Sequence, residues 1–424
     1  MPVSILLLTL TASTTLESEM LEDTFRQILT DVDRNIHLDS WSIGSDELTP
    51  GSDTRWRIEK DVLHGGLQEG VDRIRVNNGV LTFTIIPTRG MNLWDARCGD
   101  VRLGWDSPVK EVVHPQYVNL SERGGLGWLT GFGEWINRCG LASNGAPGVD
   151  HVPSNTGASV PVDLTLHGKA TYLPARKVEV IVEPGSEAGS SKGKPVIRIR
   201  GIVDETMMFG TQLRLVSEVS TIVGSRTLTV NDEIQNLAAT EQEFQLLYHT
   251  NFGTPILGDG ATFIAPALRV TPRDERAAEG LERWNHYGPP TAGYTEQVYF
   301  LELAANSAGD TEVLLKNASG DRGVALDFST RGLPYMTLWK NTAALENGYV
   351  TGLEPATNYP TNRNFERKNG RVPVLKGGES HKMRLSMTAL LSEQEVDQAA
   401  GRVQKLLGGR ETKIDPQPVA GVSP

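Results

Sequence analysis

The sequence is poor in cysteine and has no long apolar run. It contains 424 residues, and the two cysteines are Cys98 and Cys139. So few cysteines exclude a disulfide framework, and neither has a Cys or His neighbour at metal-ligand spacing, so we predict two buried, reduced thiols and no metal site. No stretch approaches the roughly 20 apolar residues that span a bilayer, which argues against an integral membrane protein.

Positive charge is also in deficit, with 41 Lys and Arg against 52 Asp and Glu. Proteins that bind nucleic acids draw affinity from neutralising phosphates, so this balance argues against a nucleic-acid partner. The apolar segment at residues 4–13 resembles a short signal sequence. It lacks a preceding Lys or Arg and a clear cleavage site, so we predict an ordinary first strand and a cytoplasmic protein.

What the sequence does contain is alternation of apolar and polar residues. Residues 80–87, 226–236 and 312–317 are rich in β-branched side chains and repeat with a period near two. Gly-containing turn signals separate such runs at short intervals. The pattern predicts a sheet-rich sandwich or barrel.

Helix signals are few. Residues 392–409 begin with a capping-box pair, Ser392 and Glu395, and end at glycine, whereas residues 19–32 are a weaker helix candidate. After Gly409 the tail is rich in Pro and Gly, so we predict disorder. Residues 143–163 and 183–195 are predicted to be long mobile loops, the second at a hairpin tip.

One predicted strand, residues 245–252, has polar residues on one face. Leu246, Tyr248, Thr250 and Phe252 would face one side, and Gln245, Leu247, His249 and Asn251 the other. Because a sandwich strand usually buries one face in the core, we expect the face with His249 and Asn251 to look at water or at a ligand. A lone histidine is more often structural, so the pattern alone does not assign a function.

A carboxylate follows a second apolar strand. Glu354 precedes Pro355, which favours an extended backbone and marks a strand end. There it could transfer a proton. The alternative on spacing alone is a surface ion pair with Arg363 or Arg367.

Two further stretches combine glycine with a polar side chain. Gly168 follows His167, and Gly90 follows Arg89, so the backbone could turn sharply or approach a ligand closely at each point. An arginine suits vicinal hydroxyls or a carboxylate. The alternatives are a tight turn and a surface ion pair.

Several tryptophans lie near glycines and polar residues. Their faces could stack on sugars, although large aromatics also fill sandwich cores, and most are expected to do so. Trp339 is followed by Lys340, a candidate hydroxyl donor beside a stacking ring. The tryptophans concerned are Trp94, Trp105, Trp128, Trp135, Trp284 and Trp339.

The order of these motifs resembles the aldose 1-epimerase (galactose mutarotase-like) superfamily. The motifs RGMNLWD, RCGL, LHGKA, LLYHTNFGTP, TEQVYF, LPYMTLWKN and GYVTGLEPATNYP are similar to its DUF4432 branch. The resemblance implies an all-β fold, a large antiparallel β-sandwich with a few short helices. We expect residues 1–62 to form a strand and helix extension, 63–391 the sandwich, and 392–424 a helix and disordered tail.

The resemblance also implies roles for particular residues. His249 would be the general acid and Glu354 the general base, with His167 and Arg89 contacting the sugar. We add Asn251, Lys340 and Trp339 as substrate-binding candidates. Such a pair can move protons between the C1 hydroxyl and the ring oxygen without metal or cofactor.

The predicted function is therefore the interconversion of sugar anomers, with a small carbohydrate as partner and a homodimer left open. Two alternatives stay open: a non-catalytic carbohydrate-binding protein, and a related enzyme that acts on a glycosidic bond. A phosphorylated or acidic sugar would need positive charge. The candidate cations for it are Arg89, Arg138, Lys169 and Lys340.

Overall fold

The computed structural model describes residues 24–185 and 193–424, so the predicted strand at residues 4–13 lies outside the described residues. The strands up to residue 206 are β1 (Phe25–Asp31), β2 (Ile36–His37), β3 (Trp41–Gly44), β4 (Arg57–Leu63), β5 (Val71–Asn77), β6 (Leu81–Ile86), β7 (Asn92–Cys98), β8 (Val101–Leu103), β9 (Ile136–Leu141), β10 (Gly148–Pro153), β11 (Ser159–Leu164), β12 (Lys177–Glu183) and β13 (Val196–Thr206). They include the predicted strand at residues 80–87, which β6 confirms.

The later strands are β14 (Gln212–Ile222), β15 (Thr227–Asn236), β16 (Gln242–Glu243), β17 (Gln245–Phe252), β18 (Thr262–Ile264), β19 (Ala267–Pro272), β20 (Gln297–Leu303), β21 (Asp310–Lys316), β22 (Gly323–Ser329), β23 (Tyr335–Asn341), β24 (Val350–Ala356), β25 (Val374–Leu375), β26 (Ser380–Leu390) and β27 (Lys413–Ile414). The α-helices are α1 (Ser45–Leu48), α2 (Glu122–Gly125), α3 (Glu275–Ala278), α4 (Arg363–Lys368) and α5 (Glu393–Leu407). An all-β chain with a few short helices is confirmed.

Two large sheets face each other across one core. The first has ten strands in the order β18-β21-β22-β26-β15-β14-β13-β12-β1-β2, and the second runs β27-β19-β20-β23-β24-β17-β9-β7-β6-β5-β4-β3, with β8 paired to β7. Neighbouring strands are antiparallel, except that β27 pairs in parallel with β19. Strands between residues 25 and 63 thus join the edges of both sheets.

The core lies between these sheets because alternation turns one face of each strand inward. In β15, buried and half-buried residues alternate along the whole strand, and Leu228 and Val230 enter the core. From the opposite sheet, Ile74, Phe83 and Leu338 enter the same cluster. The predicted antiparallel β-sandwich is confirmed. Both thiols are free and buried, as predicted.

Helix α5 begins and ends as predicted. The Ser392 hydroxyl accepts a hydrogen bond from the Glu395 backbone N–H, and Gly408 ends the helix in the left-handed conformation. Its buried Val396 and Ala399 pack against Leu314 of β21. No helix within residues 24–185 and 193–424 is long and apolar enough to cross a membrane.

Two of the local predictions in the first half of the chain are wrong. Residues 143–163 are not one long loop, because β10 and β11 pair as an antiparallel hairpin. Within the proposed helix at residues 19–32, Phe25–Asp31 forms strand β1. Across the hairpin tip at residues 183–195, the flanking β12 and β13 pair as predicted, and residues 186–192 lie outside the description.

The C-terminal tail is ordered rather than disordered. Strand β27 pairs with Arg269 and Val270, and the Asp415 carboxylate accepts hydrogen bonds from the Arg269 guanidinium and the Thr271 hydroxyl, both at 2.6 Å. The buried Ser423 hydroxyl donates to the Pro272 carbonyl oxygen. The polar, Pro-rich tail is held by these hydrogen bonds to β19 and by packing of Val422 against the buried cluster that contains Phe300, and composition reports neither contact.

Candidate active site

The candidate site lies on the face of the second sheet that points away from the sandwich core. In β17, Tyr248 points into the core, where its hydroxyl donates to Asp232, and His249 points to the opposite face. The predicted alternation is confirmed. Every residue of β17 is buried, however, so the polar face is covered by protein rather than open to bulk water.

Glu354 lies directly across from His249 in the neighbouring strand. The register that pairs Leu247 with Ala356 and Thr250 with Leu353 places the two residues opposite each other. The distance from His249 Nε2 to Glu354 Oε1 is 3.2 Å, and the side chains are 6% and 3% exposed. The imidazole and the carboxyl group, 105 positions apart in the chain, therefore occupy one site.

A glycine makes room for this carboxyl group. Gly352 lies two residues before Glu354 on the same face of β24. A Cβ at position 352 would lie 2.5 Å from Glu354 Oε1, 3.2 Å from His249 Cε1 and 3.2 Å from Trp339 Cε3. The backbone of β24 is thus part of the wall of the site.

Aromatic rings surround the imidazole. The centroid of His249 lies 5.1 Å from Phe132, 5.2 Å from Trp339 and 6.1 Å from Trp128. Trp128 is fully buried and also contacts His167 at 4.7 Å. The structure therefore brings Trp339 and His167, two of the predicted substrate-binding residues, to His249. Both are partly exposed and border the solvent side of the site.

His167 is presented by a strained turn. Its φ is +58°, and that of Gly168 is +69°. A Cβ on Gly168 would lie 2.0 Å from the Ser143 carbonyl oxygen, so only glycine permits this close approach. The His167 Nδ1 atom lies 2.9 Å from the Asn144 carbonyl oxygen, and the ring centroid is 5.2 Å from that of His249.

Burial controls the charge of these groups. Loss of hydration, followed by the repulsion from Glu296, raises the pKa of the Glu354 carboxyl group well above its usual value. Burial, followed by the influence of His167, lowers the pKa of His249 well below that of free imidazole. Burial also lowers the pKa of His167 to about 4. All three shifts favour the uncharged forms of these groups, a carboxylic acid and two neutral imidazoles.

The rim of the site contains an ion pair that sequence reasoning missed. The Trp339 indole N–H donates to Glu296 Oε2 at 2.7 Å, and Arg273 donates to Glu296 Oε1 at 2.9 Å. Glu296 raises the pKa of Glu354, and Arg273 opposes it. Arg273 directly follows β19, and Glu296 directly precedes β20.

Some buried polar atoms near His249 lack hydrogen-bond partners within the described part of the chain. They are Glu354 Oε1, Thr337 Oγ1, Trp128 Nε1 and the Asn137 amide nitrogen. Thr337 pairs with Glu354 in register, and Asn137 pairs with His249, so both lie on the same sheet face as the candidate site. A bound ligand rich in hydroxyl groups could satisfy such atoms. Thr337 lies in the motif LPYMTLWKN, but its place beside Glu354 follows from strand register rather than from the motif.

Asn251 does not face a substrate, contrary to the prediction. It is fully buried, and both ends of its amide are used within the protein. The Oδ1 atom lies 2.7 Å from His249 Nδ1, and Nδ2 donates to the carbonyl oxygens of Glu134 and His249 at 3.0 and 3.1 Å. Asn251 therefore holds the His249 ring through its Nδ1 side.

Arg89 is also wrongly predicted as a substrate contact. Its side chain is fully buried, and Nε donates to Glu134 Oε1 at 2.5 Å. The other two nitrogens donate to the carbonyl oxygens of Val113 and Gly131 at 2.7 and 2.9 Å. All three guanidinium nitrogens are thus committed inside the protein.

Lys340 lies on the face of β23 opposite Trp339, which overturns its predicted role. The ammonium group donates to the carbonyl oxygens of Arg283 and His286 and lies 5.2 Å from the ring centroid of Tyr287. Adjacent residues of a strand point to opposite faces, so a neighbour of Trp339 could not share its face.

Of the four cations considered for an acidic sugar, Lys169 is the one with an exposed position. Arg138 is fully buried and donates to Asp232 and to the Met91 carbonyl oxygen. Arg363 and Arg367, the ion-pair partners considered for Glu354, both bind Asp150 instead. In the described ranges, no group of His, Cys, Asp and Glu side chains is arranged to hold a metal ion.

The fold is similar to that of a known structure. A galactose mutarotase-like protein from Clostridium acetobutylicum is similar in fold, with a TM-score of 0.51 at 15% identity over 78% of this chain and 98% of its own. The fold is therefore galactose mutarotase-like.

A more specific assignment comes from the family comparison. The model of DUF4432, a domain of unknown function, matches residues 68–389, and the chain belongs to this family. A "putative aldose 1-epimerase" from Klebsiella pneumoniae subsp. pneumoniae MGH 78578 is 38% identical, with a TM-score of 0.86 over 94% of this chain and 99% of its own. A comparison with the curated proteins gives no match.

Proposed function

We propose that the protein is a carbohydrate-active isomerase that interconverts the anomers of an aldose. The observation that carries this proposal is the 3.2 Å approach of His249 Nε2 to Glu354 Oε1. An imidazole and a carboxyl group at this distance, beside aromatic rings, form a proton donor and acceptor for one small hydroxyl-rich substrate. The name of the Klebsiella relative is consistent with the same reaction.

The close spacing suits chemistry at an anomeric carbon. To open the ring, one group removes the proton of the C1 hydroxyl while another protonates the ring oxygen, and the C1–ring-oxygen bond breaks to give an aldehyde. Both oxygens are bonded to the same carbon. The acid and base therefore need not stand on opposite sides of the sugar, and two adjacent groups on one sheet face can reach them.

The pair can supply both roles because it carries one mobile proton. A neutral imidazole with a carboxylic acid holds the same number of protons as an imidazolium with a carboxylate. Burial favours the first form in the free protein. In the second form, His249 is the acid and Glu354 the base. Ring closure on the other face of the aldehyde reverses each transfer, so turnover consumes no proton.

The rings around the pair would bind the sugar. Trp339 and Phe132 flank His249, and their faces suit the C–H surface of a pyranose. Glu296 and Arg273 at the rim offer an acceptor and a donor to outer hydroxyls. The low exposure of His249 and Glu354 implies that Trp339 and its rim partners move aside as the sugar enters.

The proposal is tested by NMR exchange between anomer signals, using a panel of free and phosphorylated aldoses and simple glycosides. We expect accelerated exchange for at least one free aldose and a loss of about 10²–10⁴-fold in Glu354→Gln and His249→Gln. Glu312→Gln, which alters a buried carboxylate of the other sheet, is the matched control.

Other outcomes would contradict the proposal. Saturable sugar binding without faster exchange would indicate a binding protein instead. Release of a new reducing end from a glycoside would indicate an enzyme that acts on the glycosidic bond. Full activity of Glu354→Gln would exclude the assigned pair.

A further inference from the structure

A chain of buried hydrogen bonds leads from Arg89 to the catalytic candidate His249. We propose that Arg89, Glu134 and Asn251 are positioning residues that fix His249 as the tautomer with hydrogen on Nδ1 and a lone pair on Nε2. This inference rests on the proposed function, because it concerns the imidazole assigned there to proton transfer.

The Asn251 amide has a defined orientation. The amide nitrogen lies 3.0 Å from the Glu134 carbonyl oxygen and 3.1 Å from that of His249, and a carbonyl oxygen can only accept hydrogen bonds. The NH₂ group must therefore be on this side. The Oδ1 atom is left facing His249 Nδ1 at 2.7 Å.

This orientation determines the tautomer of the His249 imidazole. Because an amide oxygen only accepts, a hydrogen bond at this distance requires a hydrogen on His249 Nδ1. In the neutral ring, Nε2 then carries a lone pair, and this atom faces Glu354 Oε1. The alternative tautomer would direct an N–H at a carboxylic acid and leave Nδ1 facing the amide oxygen, with two acceptors in contact.

Glu134 and Arg89 in turn hold Asn251 in place. The Glu134 carbonyl oxygen accepts from Asn251 and also from the Trp105 indole N–H at 3.1 Å. The Glu134 carboxylate is bound by Arg89, which also holds the Gly131 carbonyl oxygen. Arg89 therefore fixes the backbone on both sides of Phe132, whose ring packs on His249.

This chain matters because the proton of Glu354 can pass only to a nitrogen with a free lone pair. With the other tautomer, the two groups would both be donors, and the single mobile proton could not move between them. An incorrect tautomer is a known cause of large rate losses where an imidazole acts as base. Arg89, Glu134 and Asn251 would then influence the rate without touching the sugar.

The experiment uses the full chain with ¹⁵N-labelled histidine, since ¹⁵N shifts distinguish the two tautomers. We expect the wild-type His249 signals, assigned with His249→Gln, to show hydrogen on Nδ1. In Asn251→Ala the Nε2–H tautomer should become populated, and kcat should fall at least about tenfold while KM changes less than about threefold. Asn251→Asp keeps an accepting oxygen and should restore hydrogen on Nδ1 and part of the lost kcat.

Asn78→Ala is the matched control, because Asn78 is a fully buried amide that bonds backbone far from the site. It should leave the His249 signals unchanged. Hydrogen on Nε2 in the wild type, or unchanged Nδ1–H signals in Asn251→Ala, would overturn the inference. The wild-type spectrum requires no activity, so it also separates this inference from a failure of the proposed function.

Discussion

Gly352→Ala should inactivate the protein without unfolding it. The added methyl would lie 2.5 Å from Glu354 Oε1, closer than real Cβ contacts, and 3.2 Å from carbons of His249 and Trp339. The two ring carbons belong to packed side chains, whereas the carboxyl group ends a flexible one. We therefore expect the Glu354 carboxyl group to rotate away from His249 Nε2.

The expected cost in stability is small. Overpacking of a buried site typically costs about 1–3 kcal/mol. Replacing a strand glycine by alanine returns about 0.5–1 kcal/mol by restricting the unfolded chain. The net loss should be about 0–2.5 kcal/mol, which a domain of this size tolerates. The loss in rate should be far larger, about 10²–10⁴-fold, because one partner of the proton transfer is displaced.

The assay compares anomer exchange by NMR with thermal unfolding of the same samples. Gly323→Ala is the matched control, because a Cβ there would lie 2.9 Å from the Leu315 carbonyl oxygen in a strand of the other sheet. We expect similar unfolding temperatures for both variants and normal exchange in Gly323→Ala. If Gly352→Ala keeps more than about a tenth of the wild-type rate, the assigned position of Glu354 is wrong.

Further expectations concern pH and stability. Because burial lowers the pKa of His249, kcat/KM should persist well below about pH 6.5. Because burial raises the pKa of Glu354, kcat/KM should fall at high pH, where Glu354 loses its proton. A fall in kcat/KM on the acid side near pH 6.5 would contradict this expectation. Arg89→Met leaves the Glu134 carboxylate buried without its partner and should lower the free energy of unfolding, measured by chemical denaturation, by about 3–5 kcal/mol. The double variant Arg89→Met with Glu134→Leu should recover much of this loss, and an equal loss in both variants would contradict the expectation. Asp415→Ala should lower stability by about 1–3 kcal/mol, and an unchanged unfolding midpoint would show that the tail contacts contribute nothing.

The sequence predicted the polar face of β17 and the position of Glu354 for a physical reason. A period of two along an apolar run determines which side chains share a face, and Pro355 indicates an extended backbone. These arguments placed His249 on the non-core face, and the family resemblance paired it with Glu354. Periodicity could not show that other segments cover this face, because the covering residues, Trp128 and Phe132, come from a short 3-10 helix, Gly127–Gly131, and the residue that ends it, far from β17 in the sequence.

The predicted substrate contacts show the limit of such reasoning. Arg89 and Asn251 were chosen for their chemistry, but a polar side chain can equally serve buried carbonyl oxygens and carboxylates, and residue type does not distinguish the two. For Lys340, the alternation of side chains along a strand was enough to exclude the prediction, because Lys340 and its neighbour Trp339 must point to opposite faces. Glu296 lies in the motif TEQVYF but was given no role there, and its place at the rim depends on the pairing of β20 with β23.

The most direct test of the account is saturation transfer between the two anomer signals of a free aldose, measured with wild-type protein and with Glu354→Gln side by side. We predict that irradiating one anomer weakens the signal of the other in the presence of the wild type, and that this transfer disappears with the variant. No transfer with any aldose, or equal transfer with both proteins, would contradict the claim that His249 and Glu354 exchange protons with a sugar.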